Sequence, residues 1–344
     1  MSDEGIGMDE QGFRKFIKEG KRVPKGLNER TIKSHIRMVE EFETFLKRNN
    51  PGRRFSDAST RDIKAFIKHL AKEDRNKFEN LIGLLRYARY SGNEDAALTL
   101  LVILDSGEIL PTLGRSFKKK YGKRMHDKAL GAYEPPPIGT PAKLMPRATN
   151  EFMVRVELGI GEDATRDFLM SNCPHVSPTE HYAEERKMLR ASKNIDEYLR
   201  KRRKKSVEEL HGHMKNKTPF FTQEINQEVL DFVRSEPEIE GGVRKGNMIY
   251  FTKIPYMTTD YLREEDPKMK RYHYCHCPLA RESILTGETV SRNLCYCSAG
   301  YVKRPFEVAF GKNLRAEIKK SVLWGDSECR FAIEIPKEYL LRKG

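Results

Sequence analysis

From residue 28 to residue 105 the apolar side chains recur at three- and four-residue steps, segment after segment, with no stretch of strict alternation. That spacing puts them on one face of a helix and is incompatible with half-buried strands. "ERTIKSHIRMVEEFETFLKRNN" places Ile32, Ile36, Val39, Phe42 and Phe45 or Leu46 on such a face, and Pro51-Gly52 stops it. In "SDASTRDIKAFIKHLAKE" either Ser59 or Thr60 is the expected N-cap, Asp62 lies in the first turn, and Ile63, Phe66, Ile67 and Leu70 form the buried stripe. A third helix is expected through "KFENLIGLLRYARYSG", ending at Gly92. A fourth, "EDAALTLLVILDSG", is apolar nearly all round and should be central.

A chain of 344 residues exceeds one ordinary core, so two domains are the starting expectation. The expected fold is multidomain: an all-α N-terminal helical bundle, then a C-terminal α+β domain with a small antiparallel sheet. Residues 1–27 are expected to be a flexible N-terminal segment, 28–110 the helical domain, 111–149 a linker and 150–344 the α+β domain. No apolar run approaches the roughly 18 residues that cross a bilayer, and the acidic start "MSDEGIGMDEQGF" lacks a signal peptide's apolar centre. The expectation is a cytoplasmic protein without a membrane partner.

The net charge of +14 favours polyanionic partners, nucleic acid first. Part of it is concentrated in the linker, where "GRSFKKKYGKRMHDK" precedes the proline-rich "YEPPPIGTPAKLMPR". Lys118, Lys119 and Lys120 are either a solvated connector or a phosphate-contacting arm that adds salt-dependent affinity. In the last third, "GGVRKGNMIYFTKIPYM" reads as a hairpin around Lys245-Gly246-Asn247, and "NLRAEIKKSVLWGDSECRFAIEIP" as two strands joined through Gly325-Asp326. His211 and His213, two apart on a helix, are poor partners for one ion.

Four of the six cysteines stand in two tight pairs, Cys275 with Cys277 and Cys295 with Cys297. On extended segments each pair would aim both sulfurs at one point. Four converging thiolates could hold zinc in a closed tetrahedral site, with an iron–sulfur cluster the less expected occupant. A second reading is a ligand pocket with an activated thiol. There Cys275 or Cys277 would be the nucleophile at the start of a helix opened by Pro278, with His273 or His276 as base. A third is reduced cysteine packed as a small apolar side chain. Tyr272, Tyr274, Tyr296, Tyr301 and Trp324 supply candidate aromatic walls for a small-molecule pocket. Cys173, in "MSNCPHVSP", stands apart and reads as packing.

The strings "FETFLKRN", "DASTRDIKAFIKHL" and "LLRYARYSG" resemble the SAM-like core-binding domain of phage-integrase-type tyrosine recombinases, over about residues 28–110. In that family the domain clamps duplex DNA through basic helix faces. The resemblance implies Lys33, Arg37, Lys64, Lys68, Arg86 and Arg89 as DNA-contacting candidates, within a DNA-binding region spanning residues 28–130. Recombinase chemistry is not expected, because no His is followed three residues later by Arg. "FFTQEI", "KIPYM", "YCHCP" and "CYCSAGY" together resemble an uncharacterised bacterial and archaeal family. The closing hairpin, with Gly325, Cys329, Phe331 and Ile333, resembles the end of 4-vinyl reductase-type domains and of the 2-aminothiazoline-4-carboxylate hydrolase-like family. The first resemblance implies a small-ligand sensor, and adds Cys329 to the candidate pocket; the second implies a small-molecule hydrolase. The combined expectation is a DNA-binding protein with a small-molecule- or metal-sensing C-terminal domain, with a homodimer as one option. A cytoplasmic Cys/His hydrolase is the alternative.

Overall fold

The computed structural model describes residues 8–19, 27–174 and 182–340, and the chain divides into two compact units. The first comprises residues 1–111 and 135–141. Its helices are α1 (Glu10–Glu19), α2 (Glu29–Asn49), α3 (Thr60–Ala71), α4 (Phe78–Ser91) and the first part of α5 (Glu94–Leu130). Their apolar stripes meet in one core built on Phe42, Phe55, Phe66, Leu84 and Leu100. The ends follow local chemistry. Asn28 caps α2 by accepting from the Thr31 N–H, and Ser59 and Asp62 form a reciprocal capping box on α3. Gly92, at φ 73°, closes α4 in a left-handed turn that favours glycine.

Two expectations differ here. The segment 1–27, expected to be flexible, contains α1, whose Phe13 and Ile17 are buried in the bundle core; residues 1–7 and 20–26 lie outside the described ones. The linker expected from residue 111 is helical up to Leu130 apart from a break at Gly122 (φ 81°, ψ 165°), and a further helix starts at Met145. Gly107 lies inside α5. Its missing side chain makes room for Ile138, because a β-carbon there would stand 2.7 Å from Ile138 Cγ1. By length and composition α5 could also cross a bilayer, contrary to the expectation from sequence. Its Ala96, Ala97, Leu100 and Leu104 instead pack into the bundle core, as in a central helix of a folded domain.

The second unit comprises residues 112–134 and 142–344. It contains the end of α5, then α6 (Met145–Ile160), α7 (Glu162–Ser171), α8 (Ala183–Arg190), α9 (Ile195–Asn216), α10 (Gln227–Ser235), β1 (Val243–Lys245) and β2 (Met248–Thr252). There follow α11 (Thr258–Arg263), α12 (Pro267–Tyr274), α13 (Arg281–Thr286), α14 (Tyr296–Phe310), β3 (Ala316–Lys320), β4 (Arg330–Glu334) and α15 (Lys337–Leu340). The strands form one antiparallel sheet in the order β1-β2-β4-β3. In the expected hairpin Lys245 pairs with Met248 across a two-residue turn, whose Gly246 sits at φ 64°. Ile249, Phe251, Phe331 and Ile333 of the central strands join Phe306 and Phe310 of α14 in the core. The chain is therefore an all-α N-terminal part followed by an α+β part with a small antiparallel sheet.

Candidate functional site

The cysteines gather where several elements of the second unit end. Lys253 follows β2, and its backbone N–H donates to the Cys329 carbonyl at 3.1 Å while its own carbonyl accepts from the Tyr274 hydroxyl. Cys275 caps the C-terminal end of α12, and Cys329 immediately precedes β4. Cys275, Cys277 and Cys329 pack in one cluster with Tyr274, Ile284 and Val322.

The second pair does not behave as an extended segment would. Cys295 ends a 3-10 turn and Cys297 lies in the first turn of α14, where residues two apart point to nearly opposite sides. Cys295 Sγ meets Ser321 Oγ at 3.1 Å, whereas Cys297 Sγ reaches Cys173 Sγ at 3.2 Å. Cys173, isolated along the sequence, thus belongs to the centre. The expected set of Cys275, Cys277, Cys295 and Cys297 is redistributed: Cys329 joins the first three, and Cys297 turns to Cys173. Among the described residues no group of three or more His, Cys, Asp or Glu side chains is arranged to hold a metal ion.

Burial governs the electrostatics. It pushes the Cys275 thiol up to about 12, with neighbouring Cys277 adding to the effect. It raises Cys329 to about 12 as well, with Cys275 adding to it. Cys277 is raised by the same loss of solvent, and Cys295 well above the ordinary thiol range by burial and by Cys329. Cys297 rises first because its S–H is donated to Cys173 and then because it is buried. The Lys253 ammonium opposes these shifts at Cys275, Cys277, Cys297 and Cys329, and it lies 5.6 Å from the centre of the Tyr301 ring. Lys253 is a member of this site that the sequence pattern did not single out, although "KIPYM" marked its position.

The histidines do other work. His276 Nε2 is 2.6 Å from the Ile254 carbonyl, which ties the cysteine loop to the end of β2. Burial and then Lys253 hold its pKa well below the usual imidazole range, so the neutral ring donates this bond. His273 Nε2 faces Glu264 at 3.7 Å. The helix expected at Pro278 begins only at Arg281, so neither Cys275 nor Cys277 sits in a helix first turn. Of the candidate pocket walls, Tyr274 is buried core. Tyr296 lines a cavity of about 200 Å³ with Arg166, Arg292, Asn293 and Trp324.

In the first unit the basic candidates fall into two groups. Lys33 and Arg37 on α2, and Lys64 and Lys68 on α3, are exposed on faces opposite the buried stripes. Arg30 and Arg61 extend each row by one turn and are exposed too. Each helix therefore carries a three-residue basic row at positions i, i+3 and i+7. Arg86 and Arg89 on α4 are half-buried, and the Arg86 guanidinium is engaged with the His35 ring.

Residues 13–86 match the phage integrase N-terminal SAM-like domain. The match reaches into α1, and thereby includes a helix that the expected boundary at residue 28 left outside the domain. Residues 247–340 match a family of unknown function, DUF6144, a stretch that holds Lys253 and every cysteine of the centre except Cys173. No curated protein and no solved structure matches the chain. Within the SAM-like domain, α2 and α3 present the exposed basic rows, while Arg86 serves the contact between α4 and α2. Lys118, Lys119 and Lys120 lie outside the matched range, exposed on α5; as consecutive helical residues they fan around the axis rather than share one face.

Proposed function

We propose that this chain binds duplex DNA through the exposed basic rows of its SAM-like domain, and that its C-terminal domain is a sensing module centred on the buried thiols. The observation that carries the first part is the pair of rows Arg30/Lys33/Arg37 and Arg61/Lys64/Lys68, solvent-facing on a domain matched to the integrase SAM-like type. Cations on successive helical turns suit phosphate contacts, which give affinity without reading base sequence. Lys118, Lys119 and Lys120 add further positive charge along α5.

The gathering of Cys275, Cys277, Cys297 and Cys329 within reach of the Lys253 charge, with Cys295 beside Cys329 and Cys173 beside Cys297, supports the sensing role. The signal in this reading is a small molecule, met beside Cys275, Cys277, Cys295 and Cys329. The hydrolase alternative is less well supported, because burial raises both proposed nucleophiles and the His276 Nε2–H is committed to a backbone carbonyl. Titration of a labelled, sequence-random duplex with the full chain at two salt concentrations tests the DNA-binding reading. Saturable binding that weakens steeply with salt is expected, and no binding at low salt rejects it.

A further inference from the structure

Cys173 and Cys297 touch: the Cys297 S–H is donated to Cys173 Sγ across 3.2 Å. A close backbone approach nearby sets up this contact. A β-carbon on Gly300 would stand 2.3 Å from the Met170 carbonyl oxygen, so only glycine lets α14 come this near to α7. Three residues onward from Met170 is Cys173, and three residues back from Gly300 is Cys297. The two segments therefore pass in opposite directions, and the glycine contact fixes the register that brings the sulfurs together.

We propose that Cys173 and Cys297 are a redox-active dithiol that closes to an intramolecular disulfide when the protein meets a small peroxide. A disulfide needs a sulfur–sulfur distance of about 2.05 Å, so the two atoms must approach by a little over 1 Å, within reach of side-chain torsion. The chemistry balances with hydrogen peroxide as oxidant. The minor thiolate fraction of one partner attacks the O–O bond, forming a sulfenic acid and releasing hydroxide, which takes up the proton that thiol lost. Because burial and the shared S–H hold Cys297 protonated, closure is slow at neutral pH and speeds up as pH rises. The second thiol attacks the sulfenic sulfur and expels the oxygen as water. Two thiols and one peroxide become one disulfide and two waters. Cys295, by contrast, has a serine hydroxyl as its close partner. The pair stands apart from the DNA-binding reading, and a failure of either leaves the other intact.

The test uses the full chain exposed to hydrogen peroxide, followed by alkylation of the remaining thiols in denaturant, proteolysis and mass spectrometry. The expected result is loss of two of six titratable thiols, a crosslinked peptide pair containing Cys173 and Cys297, and recovery of all six with dithiothreitol. Cys173→Ser and Cys297→Ser, each shown to be folded by circular dichroism, should both lack that crosslink. Six free thiols after oxidation of the folded wild-type protein, or a dominant crosslink between any other pair, overturns the proposal.

Discussion

The Met170 carbonyl lies against the α-carbon of Gly300 so closely that even one methyl group at residue 300 would collide with it. The obstruction is backbone, which cannot rotate away as a side-chain tip could. Gly300→Ala should therefore destabilise the protein by about 1–3 kcal/mol, the usual range for overpacking. Urea denaturation of the wild type and the variant measures this. A change below about 0.5 kcal/mol would show that α7 and α14 separate without cost.

A second stability test concerns His35. Burial, with Arg86 adding to it, lowers its folded pKa to about 4, against about 6.5 when unfolded. The unfolded chain therefore binds the proton more readily. The stability associated with neutral His35 is full above about pH 6.5 and declines as pH falls towards 4, by up to about 3 kcal/mol. Between pH 6.5 and 5, before most carboxylates titrate, the stability of His35→Gln should fall less steeply than that of the wild type. Equal slopes would contradict the assignment.

Arg202 is buried on α9, with Nε 3.1 Å from Glu185, Nη1 3.3 Å from the Gly241 carbonyl, and the guanidinium 4.8 Å from the centre of the Phe306 ring. Removing the cation strands a carboxylate of low exposure, so Arg202→Met should cost about 3 kcal/mol or more. Arg202→Met combined with Glu185→Gln should cost less than the sum of the single changes, as measured by a double-mutant cycle. Strict additivity would mean that the pair is not coupled.

The raised thiols make a kinetic prediction. At pH 7 the folded protein should react with iodoacetamide at least about a hundredfold more slowly than the unfolded chain, because burial and a depleted thiolate fraction both oppose attack. The rate at Cys275 should climb with pH well beyond 9, towards its pKa of about 12. One thiol labelled rapidly at neutral pH would instead favour the hydrolase alternative.

How much of this was legible in the sequence depended on range. Caps and stripes are local, so Ser59 with Asp62, the end at Gly92 and the turn at Gly246 could be read from neighbouring residues. The role of Gly107 was not legible, because its reason, the Ile138 side chain, lies 31 positions away. The cysteine pairs were recognisable but their geometry was not. A C-x-C on a strand converges, whereas on a helix it diverges, and Cys295–Cys297 opens α14. Cys173 and Lys253 entered the centre through tertiary packing that no spacing rule encodes. The setting of His276 was hidden for a related reason: it satisfies a backbone carbonyl, a demand invisible in one dimension.

The most direct measurement is the salt dependence of duplex binding by the full chain, compared with a variant carrying Lys33→Gln, Arg37→Gln, Lys64→Gln and Lys68→Gln. If these side chains neutralise phosphates, the variant should bind more weakly on every duplex sequence, and the slope of log affinity against log salt should become shallower by about 0.9 for each phosphate no longer neutralised. Unchanged affinity and slope in a variant that remains folded would contradict a DNA-binding role for these helix faces.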